Sequence, residues 1–510
     1  MESPGSTTLS TFWSSSTCNW LRQAFYHTAT TGRTTERINH NSQGSILADN
    51  MGLGKTSTSL ALILTSKNAA ESFANARALL VICPLSTLPN WDAEIRKHLD
   101  LSLTKYAVYH GEEQKKWTTQ HLWANDIVLV TYDTVANLYE SPRCDALFEP
   151  TWFRTILDEA HLIRDPATKR SRAILALQTE QKLCLTGTPL QNQLSDLYTL
   201  LRFIQVDPWS REEVWQTFIK PNIHRKSAKA IELLQQLLAT VSLRRLKTDV
   251  LQLPPKVKED VGLPLPEPWQ EDYNNRYNEF SDKFGVDRGG GSWDSSEFFQ
   301  ELTMLRLYCD HPSLIDGRRY NLPKKEMTWR DSPKIVHLMS DLKGHLYSEQ
   351  SGQVPKAVVF SQWTSFLEIV GNALGAEKIA FEQLDGSRSL QQREKSLHRI
   401  RHEPNVRVLL ATIGEGGVGI DLMCTQKVYL MVSPVYKRKV IIRTLILTCA
   451  PPKEPCWNPS VEDQATDRAY RLGQRCTIQI VRYFIQGSIE VNMREVRYIR
   501  GSSHWRFELS

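Results

Sequence analysis

No two of the nine cysteines in this 510-residue chain stand in Cys-x-x-Cys spacing. Zinc ribbons, fingers and RING domains are built on such pairs, so structural zinc is not expected. Cys83, Cys184 and Cys424 lie in or beside apolar runs, the pattern of buried thiols in a reducing compartment rather than of disulfides. No apolar run approaches the roughly 20 residues that cross a bilayer, and the N-terminus lacks a charged start followed by an apolar stretch. Neither a membrane span nor secretion is therefore expected. Charge of one sign is also modest: the net +6 suits a surface that tracks phosphates without demanding one. The 41% of hydrophobic residues is enough to build the cores of two large domains.

Phosphate chemistry is what the chain does offer. Ile46-Leu-Ala-Asp-Asn-Met-Gly-Leu-Gly-Lys-Thr56 runs from an apolar strand into a glycine-rich turn. Gly52 and Gly54 let backbone N–H groups converge on phosphate oxygens, Lys55 reaches the β and γ phosphates, and the Thr56 hydroxyl can ligate Mg²⁺ at the mouth of the next helix. The strict Gly-x-x-x-x-Gly-Lys-Thr pattern has a glycine where this chain has Asp49. Taken alone, the loop is also compatible with a plain glycine turn before a helix.

About a hundred residues on, Trp152-Phe-Arg-Thr-Ile-Leu157 reads as a strand that delivers Asp158-Glu-Ala-His161 at its carboxyl end. Asp158 there can hold Mg²⁺ through water while Glu159 orients or polarises an attacking water. A solvated acidic turn is the alternative, and the upstream Lys55 loop argues against it. Farther along, Arg468 and Arg471 stand three apart, on one face of a predicted helix, where two guanidiniums can grip a γ-phosphate. They could equally pair with Glu462 and Asp467 on a wet face.

These motifs, in this order, resemble the SWI/SNF-type helicase-like ATPases of superfamily two, nearest the helicase-like transcription factor branch. The resemblance runs from about residue 44 to 490. It is carried by Asp49-Asn-Met-Gly-Leu-Gly-Lys-Thr56, Cys83-Pro-Leu-Ser-Thr87, Val130-Thr-Tyr-Asp133, Asp158-Glu-Ala-His161, Leu185-Thr-Gly-Thr-Pro189, Val358-Val-Phe-Ser-Gln-Trp363, Leu410-Ala-Thr412 and Arg468-Ala-Tyr-Arg-Leu-Gly-Gln474. It implies an α/β fold of two RecA-like lobes, each a mainly parallel sheet covered by helices. It further implies ATP and Mg²⁺ as cofactors, translocation on double-stranded DNA in the nucleus, and nucleosomes or DNA-bound proteins as possible targets. Asp49, Met51, Gly52, Leu53, Gly54, Lys55 and Thr56 would line the nucleotide, with Gly417, Gly419 and Gln474 from the second lobe. Arg468 and Arg471 would act as fingers when the lobes close. Ser86, Thr87, Thr131, Tyr132, Arg244 and Arg245 in the first lobe, and Ser361, Gln362 and Thr412 in the second, match the family's DNA-contacting loops. The ligand spacing of the RING domain found in many relatives is missing, so ubiquitin ligase activity is not expected.

The organisation along the chain fits this reading. Residues 1–43 are rich in Ser and Thr without periodicity and are expected to be poorly ordered. Residues 44–252 alternate apolar strand-like runs with helical stretches, the signature of a parallel sheet covered on both faces. Residues 253–333, richer in Pro, Gly and charge, are expected to form an interlobe region. A second alternating series fills 334–490, and a tail follows over 491–510.

Three departures from the resemblance bear on activity. No adenine-contacting Leu-x-x-His-Gln helix is evident between Asn19 and Gln43, Glu415 replaces a small residue in the Gly-rich loop of the second lobe, and 435–454 matches no family pattern. A translated intron or a strand-forming insertion would account for the last. They support an alternative, a DNA or chromatin clamp that does not hydrolyse ATP. An RNA helicase fits less well, because such enzymes end the finger motif in Arg-x-Gly-Arg, whereas this chain has Arg471-Leu-Gly-Gln474.

Overall fold

The computed structural model describes residues 43–491 apart from 72–75, 112–113, 115–116, 142–144, 188–193, 226, 252, 285–293, 316–326, 349–353, 417–419, 432–458 and 472. The expectations for residues 1–42, Gly417, Gly419, the 435–454 segment and the tail beyond 491 lie outside the described residues. The chain divides after Leu251 into two compact units.

In the first unit, seven strands form one sheet: β1 (Gly44–Leu47), β2 (Ala76–Cys83), β3 (Tyr106–Tyr109), β4 (Ile127–Thr131), β5 (Trp152–Leu157), β6 (Thr179–Leu185) and β7 (Ser242–Leu243). Their spatial order is β3-β4-β2-β5-β6-β1-β7 and every pairing is parallel. The central strands are apolar on both faces because both are covered. Leu80 and Ile82 enter one core cluster with Val128 and Val130, while Leu79, Val81 and Cys83 enter the opposite one with Ile127 and Leu129. Each fully buried aliphatic side chain contributes about 1.5–3 kcal/mol. The helix Ala228–Val241 shows the matching 3.6-residue period, burying Ala230, Leu233, Leu234, Leu237, Leu238 and Val241.

In the second unit, β8 (Lys256–Leu263), β9 (Ala357–Ser361), β10 (Phe381–Leu384), β11 (Val408–Thr412), β12 (Lys427–Leu430) and β13 (Ile478–Ile485) pair in the order β10-β11-β9-β12-β13-β8, again all parallel. The described part of the expected interlobe region is not a separate layer. Its β8 is an edge strand of this sheet, and its helices Trp269–Phe284 and Ser295–Asp310 supply Trp269, Tyr273, Phe280, Phe298, Leu302 and Tyr308 to the core. Composition hid this. The charged residues Lys258, Glu259 and Asp260 stand exposed on the edge strand, a common protection of sheet edges, and they erase its apolar period.

A buried ionic cluster ties three parts of this unit together. The Lys334 ammonium, fully buried, donates to Asp310 Oδ1 at 2.8 Å and to Glu490 Oε1 at 2.6 Å. Glu490 Oε2 accepts the backbone N–H of Ile485 at 2.7 Å, and Ser332 Oγ donates to the Asp310 carbonyl at 2.6 Å. Burial alone would press the ammonium toward its neutral form, but Asp310 and Glu490 outweigh it and hold the Lys334 pKa above the ordinary lysine value.

Candidate active site

Three adjacent strands of the first unit, β5, β6 and β1, carry the chemistry at their carboxyl ends. Leu157 pairs with Cys184, and Leu185 with Leu47. The loops that follow, beginning at Asp158, Thr186 and Ala48, therefore leave the same sheet edge side by side, where open α/β sheets bind ligands. The Thr186 N–H donates to the Leu47 carbonyl at 3.1 Å and fastens the β6 loop to the β1 loop.

The β1 loop turns at Gly52 (φ 82°) and Gly54 (φ 78°), both in the left-handed region that glycine reaches without strain. The helix Lys55–Thr65 starts directly after Gly54, so its free N–H groups and positive dipole end face the loop. Lys55 Nζ donates to the Asp49 carbonyl at 2.9 Å. Asp49 has a different task from the ligand contact expected of it. Its fully buried carboxylate accepts the Arg245 backbone N–H at 2.9 Å and the Arg245 guanidinium through Nε at 3.1 and 3.2 Å and through Nη2.

Asp158 and Glu159 follow β5. Asp158 Oδ2 accepts Trp91 Nε1 at 2.9 Å, and Oδ1 accepts the Glu159 N–H at 3.0 Å. The Asp158 carbonyl accepts the Tyr132 hydroxyl at 2.8 Å, while its N–H donates to Ile82. Trp91 thus holds the carboxylate, while Tyr132 and the β2 end hold the Asp158 backbone. Glu159 adopts a left-handed conformation (φ 49°), uncommon for a residue with a Cβ and a recurrent feature of functional sites. Its Oε2 lies 3.3 Å from His161 Nδ1. The neighbouring Cys83 thiol, fully buried and close to Asp158, has its pKa pushed up by burial and then by that carboxylate, so it is inert rather than nucleophilic.

Gly187 packs against the β1 loop. A Cβ there would stand 3.0 Å from Met51 Cγ and 3.9 Å from Lys55 Nζ. On the expectation that this loop cradles a nucleotide, Gly187→Ala should displace Met51 and weaken that binding by about tenfold, about 1.4 kcal/mol, with little change in melting temperature. Equilibrium titration with a fluorescent ADP analogue checks this, and wild-type affinity in the variant would refute it.

In the second unit the helix Pro459–Thr466 ends before Arg468, so Arg468 and Arg471 lie in the turn after it rather than on one helix face as expected. Arg468 is 4% exposed, and its carbonyl accepts the Leu422 N–H at 3.1 Å. Burial, and then the adjacent Arg468, push the Arg471 pKa down to about 10. The Arg471 Nε is buried without a hydrogen-bond partner among the described residues, the arrangement of a guanidinium short of an anion. Gln474 is spent internally. Its Nε2 donates to the Met423 and Ala469 carbonyls, and its Oε1 accepts the N–H groups of Arg475 and Cys476. The amide therefore braces the turn after Arg471, with Gly473 at φ 99°.

The residues expected to touch DNA separate into two groups. Thr131 Oγ1 caps the helix Tyr132–Leu138, Thr87 Oγ1 donates to Pro84, and the Tyr132 ring is buried. These side chains face inward and leave only backbone groups for a phosphate. Ser86 is half-buried and Arg244 exposed, whereas Arg245 is occupied by Asp49. Ser361 and Thr412 are register partners at the carboxyl ends of β9 and β11. Ser361 Oγ accepts the Trp363 N–H at 3.1 Å, and Gln362 Oε1 accepts Arg306 Nη2 at 2.6 Å.

The model described as SNF2-related domain matches residues 19–314, more than half of the chain, and that described as Helicase conserved C-terminal domain matches 337–473. The chain belongs to the SNF2-related family. The first match begins upstream of the boundary expected at residue 44 and ends inside the expected interlobe region. Similar SNF2-family relatives include the DNA repair protein RAD5A of Arabidopsis thaliana, 25% identical over 89% of this chain and 57% of that protein. The DNA repair protein rad8 of Schizosaccharomyces pombe is 24% identical over 93% and 53%. The Helicase-like transcription factor of Homo sapiens is 25% identical over 82% and 50%. The chain spans about half the length of the curated relatives it matches. Among solved structures, the Sulfolobus solfataricus SWI2/SNF2 ATPase core in complex with dsDNA is 26% identical over 89% of this chain and 86% of that one, with a TM-score of 0.40. No helix among the described residues is long and apolar enough to cross a membrane.

Proposed function

We propose that this SNF2-family chain is an ATP-dependent translocase of double-stranded DNA that acts in the nucleus, in DNA repair or chromatin remodelling. One observation supports it above the others: the Lys55 loop, Asp158-Glu159 and Thr186 emerge from three adjacent parallel strands at one sheet edge. The residues fit a magnesium nucleotide. Lys55 donates to the Asp49 carbonyl, a neutral acceptor that phosphate oxygens outcompete. Among the described residues, no group of three or more His, Cys, Asp or Glu side chains is placed to hold a metal. Mg²⁺ keeps several waters and takes most of its remaining ligands from phosphates.

The bound metal would neutralise charge on the transferring phosphoryl group. Thr56 and Asp158 would hold it, Asp158 through water. Glu159 would orient the attacking water, and Lys55 would fix the β and γ phosphates. Arg468 and Arg471 would complete the site on lobe closure and couple hydrolysis to stepping along DNA. Ser361, Thr412 and the backbone of the Thr87 and Thr131 turns would carry the phosphate backbone of that DNA.

The test is ATP hydrolysis by the purified chain with and without double-stranded DNA and single-stranded RNA, with Lys55→Ala as control. Turnover stimulated by double-stranded DNA and lost in Lys55→Ala is expected. DNA binding without turnover would replace the motor by a clamp, and stimulation by RNA alone would make the chain an RNA helicase.

A further inference from the structure

Asp49 stands where the strict phosphate-loop pattern has glycine, and its carboxylate is fully buried. A buried carboxylate beside a polyphosphate site raises the local negative potential unless a cation cancels it. That cation is Arg245, whose Nε and Nη2 both reach the carboxylate while its own backbone N–H makes a further hydrogen bond to Oδ1. The backbones are joined as well. The Ala48 N–H donates to the Leu243 carbonyl at 2.7 Å, and the Asn50 N–H to the Arg245 carbonyl at 3.1 Å. The β1–β7 pairing thus extends beyond Leu47 into the first half of the phosphate loop. On the far side of the same residue, the Asp49 carbonyl is the acceptor of Lys55 Nζ.

We propose that Arg245 is a positioning residue of the nucleotide site, acting through Asp49, rather than a contact to nucleic acid. The proposal rests on the nucleotide-binding reading above. Arg245 cancels the Asp49 charge and fixes the peptide whose carbonyl places the Lys55 ammonium. It also explains the departure from the strict loop pattern. A glycine at this position would have no side chain for Arg245 to hold, so here a side-chain ion pair does the shaping that a bare backbone does in the strict pattern.

The experiment uses the full chain as wild type and as Arg245→Gln, Arg245→Lys, Asp49→Asn and the Asp49→Asn/Arg245→Gln double variant. Fluorescent ADP-analogue affinity, double-stranded DNA affinity at several salt concentrations, and melting temperature are measured for each. Arg245→Gln is expected to weaken nucleotide binding by about tenfold, because the fully buried Asp49 carboxylate loses the part-exposed guanidinium that faces it. The double variant should recover most of the loss, since its asparagine carries no charge to cancel, and Arg245→Lys should fall between. DNA affinity and its salt slope should stay at the wild-type values. A phosphate contact would instead lower DNA affinity and reduce the slope by about one, and that result without rescue by Asp49→Asn would overturn the proposal. So would wild-type nucleotide affinity in Arg245→Gln. If Arg245→Gln does not fold, the double variant carries the test, because it holds no unmatched charge, and its failure to bind nucleotide would overturn the proposal. A wild-type chain that binds no nucleotide would overturn the functional reading itself, whereas wild-type binding without loss in Arg245→Gln removes the positioning role alone.

Discussion

On the proposed function, Glu159→Gln is expected to slow ATP hydrolysis by on the order of 1,000-fold, within the range for removing a positioned general base, while the nucleotide and double-stranded DNA remain bound. The substitution preserves shape and removes the charge that polarises water. The anchors of Asp158 do not depend on that charge, whereas the contact of Glu159 Oε2 with His161 Nδ1 does. Asp158 is held by Trp91 and by the Glu159 backbone N–H, and its carbonyl by Tyr132, none of which involves the Glu159 side chain. The left-handed backbone at Glu159 costs Gln the same as Glu, so the loop should keep its course. Single-turnover hydrolysis alongside equilibrium binding of an ADP analogue separates the two effects. Unimpaired turnover would remove Glu159 from its assigned role, and loss of nucleotide binding in step with the rate would show that the residue shapes the loop instead.

Lys334→Ala should destabilise the second unit by about 3–5 kcal/mol, the cost of stripping one partner from a buried ionic cluster. It leaves the buried carboxylates of Asp310 and Glu490 facing one another with their shared cation gone. The pH dependence carries the signature. In the wild-type protein, burial pushes Asp310 up, Lys334 opposes that, and Glu490 adds to it, giving a pKa of about 6 against 3.8 for an ordinary aspartate. A carboxyl whose folded pKa lies above its unfolded value holds its proton more tightly in the native state, so its contribution to stability falls as pH rises from about 4 to about 6. Without Lys334 most of the opposing influence is gone, the Arg306 guanidinium supplying a smaller part, and the upward push is larger. The variant should therefore be hurt more at pH 8 than at pH 5. Urea denaturation at the two pH values measures this, and an equal loss at both would show that the cluster acts through packing rather than charge.

Much of the candidate site was legible because phosphate chemistry demands particular residues at particular spacings. The glycines at 52 and 54, Lys55, and Asp158-Glu159 at the end of an apolar run all leave a trace in one dimension. What stayed hidden was whatever depends on pairing across distance. Arg245 lies 196 residues from Asp49, and in sequence it is simply one of the basic residues in Arg244-Arg245-Leu-Lys247. Tyr132 stood among the expected DNA-contacting residues and nothing in the spacing tied Trp91 to Asp158, yet both are fastened to it from the helices that follow β4 and β2. Gln474 carried a motif position but no indication that its amide would be consumed by four backbone groups. The fold shows the same division. The long apolar β2, β4, β5 and β13 announced themselves, whereas the two-residue β7 and the four-residue β3 and β10 are too short to show a period, and charge disguised β8.

The position of β8 has a consequence for biosynthesis. It is the first strand of the second sheet to leave the ribosome, and its only described sheet neighbour is β13, with which it pairs from Lys256–Ile478 to Leu263–Ile485. The first unit's strands are all made by Leu243, but β8 must wait through more than two hundred residues of synthesis for its mate. Loop closure over that span is slow, and meanwhile the strand exposes an unpaired edge that its own lysines and carboxylates keep soluble. A chain cut at residue 473, where the C-terminal helicase match ends, would lose β13 and Glu490 together. It would strand β8 permanently, so the smallest self-sufficient second lobe extends at least through Glu490.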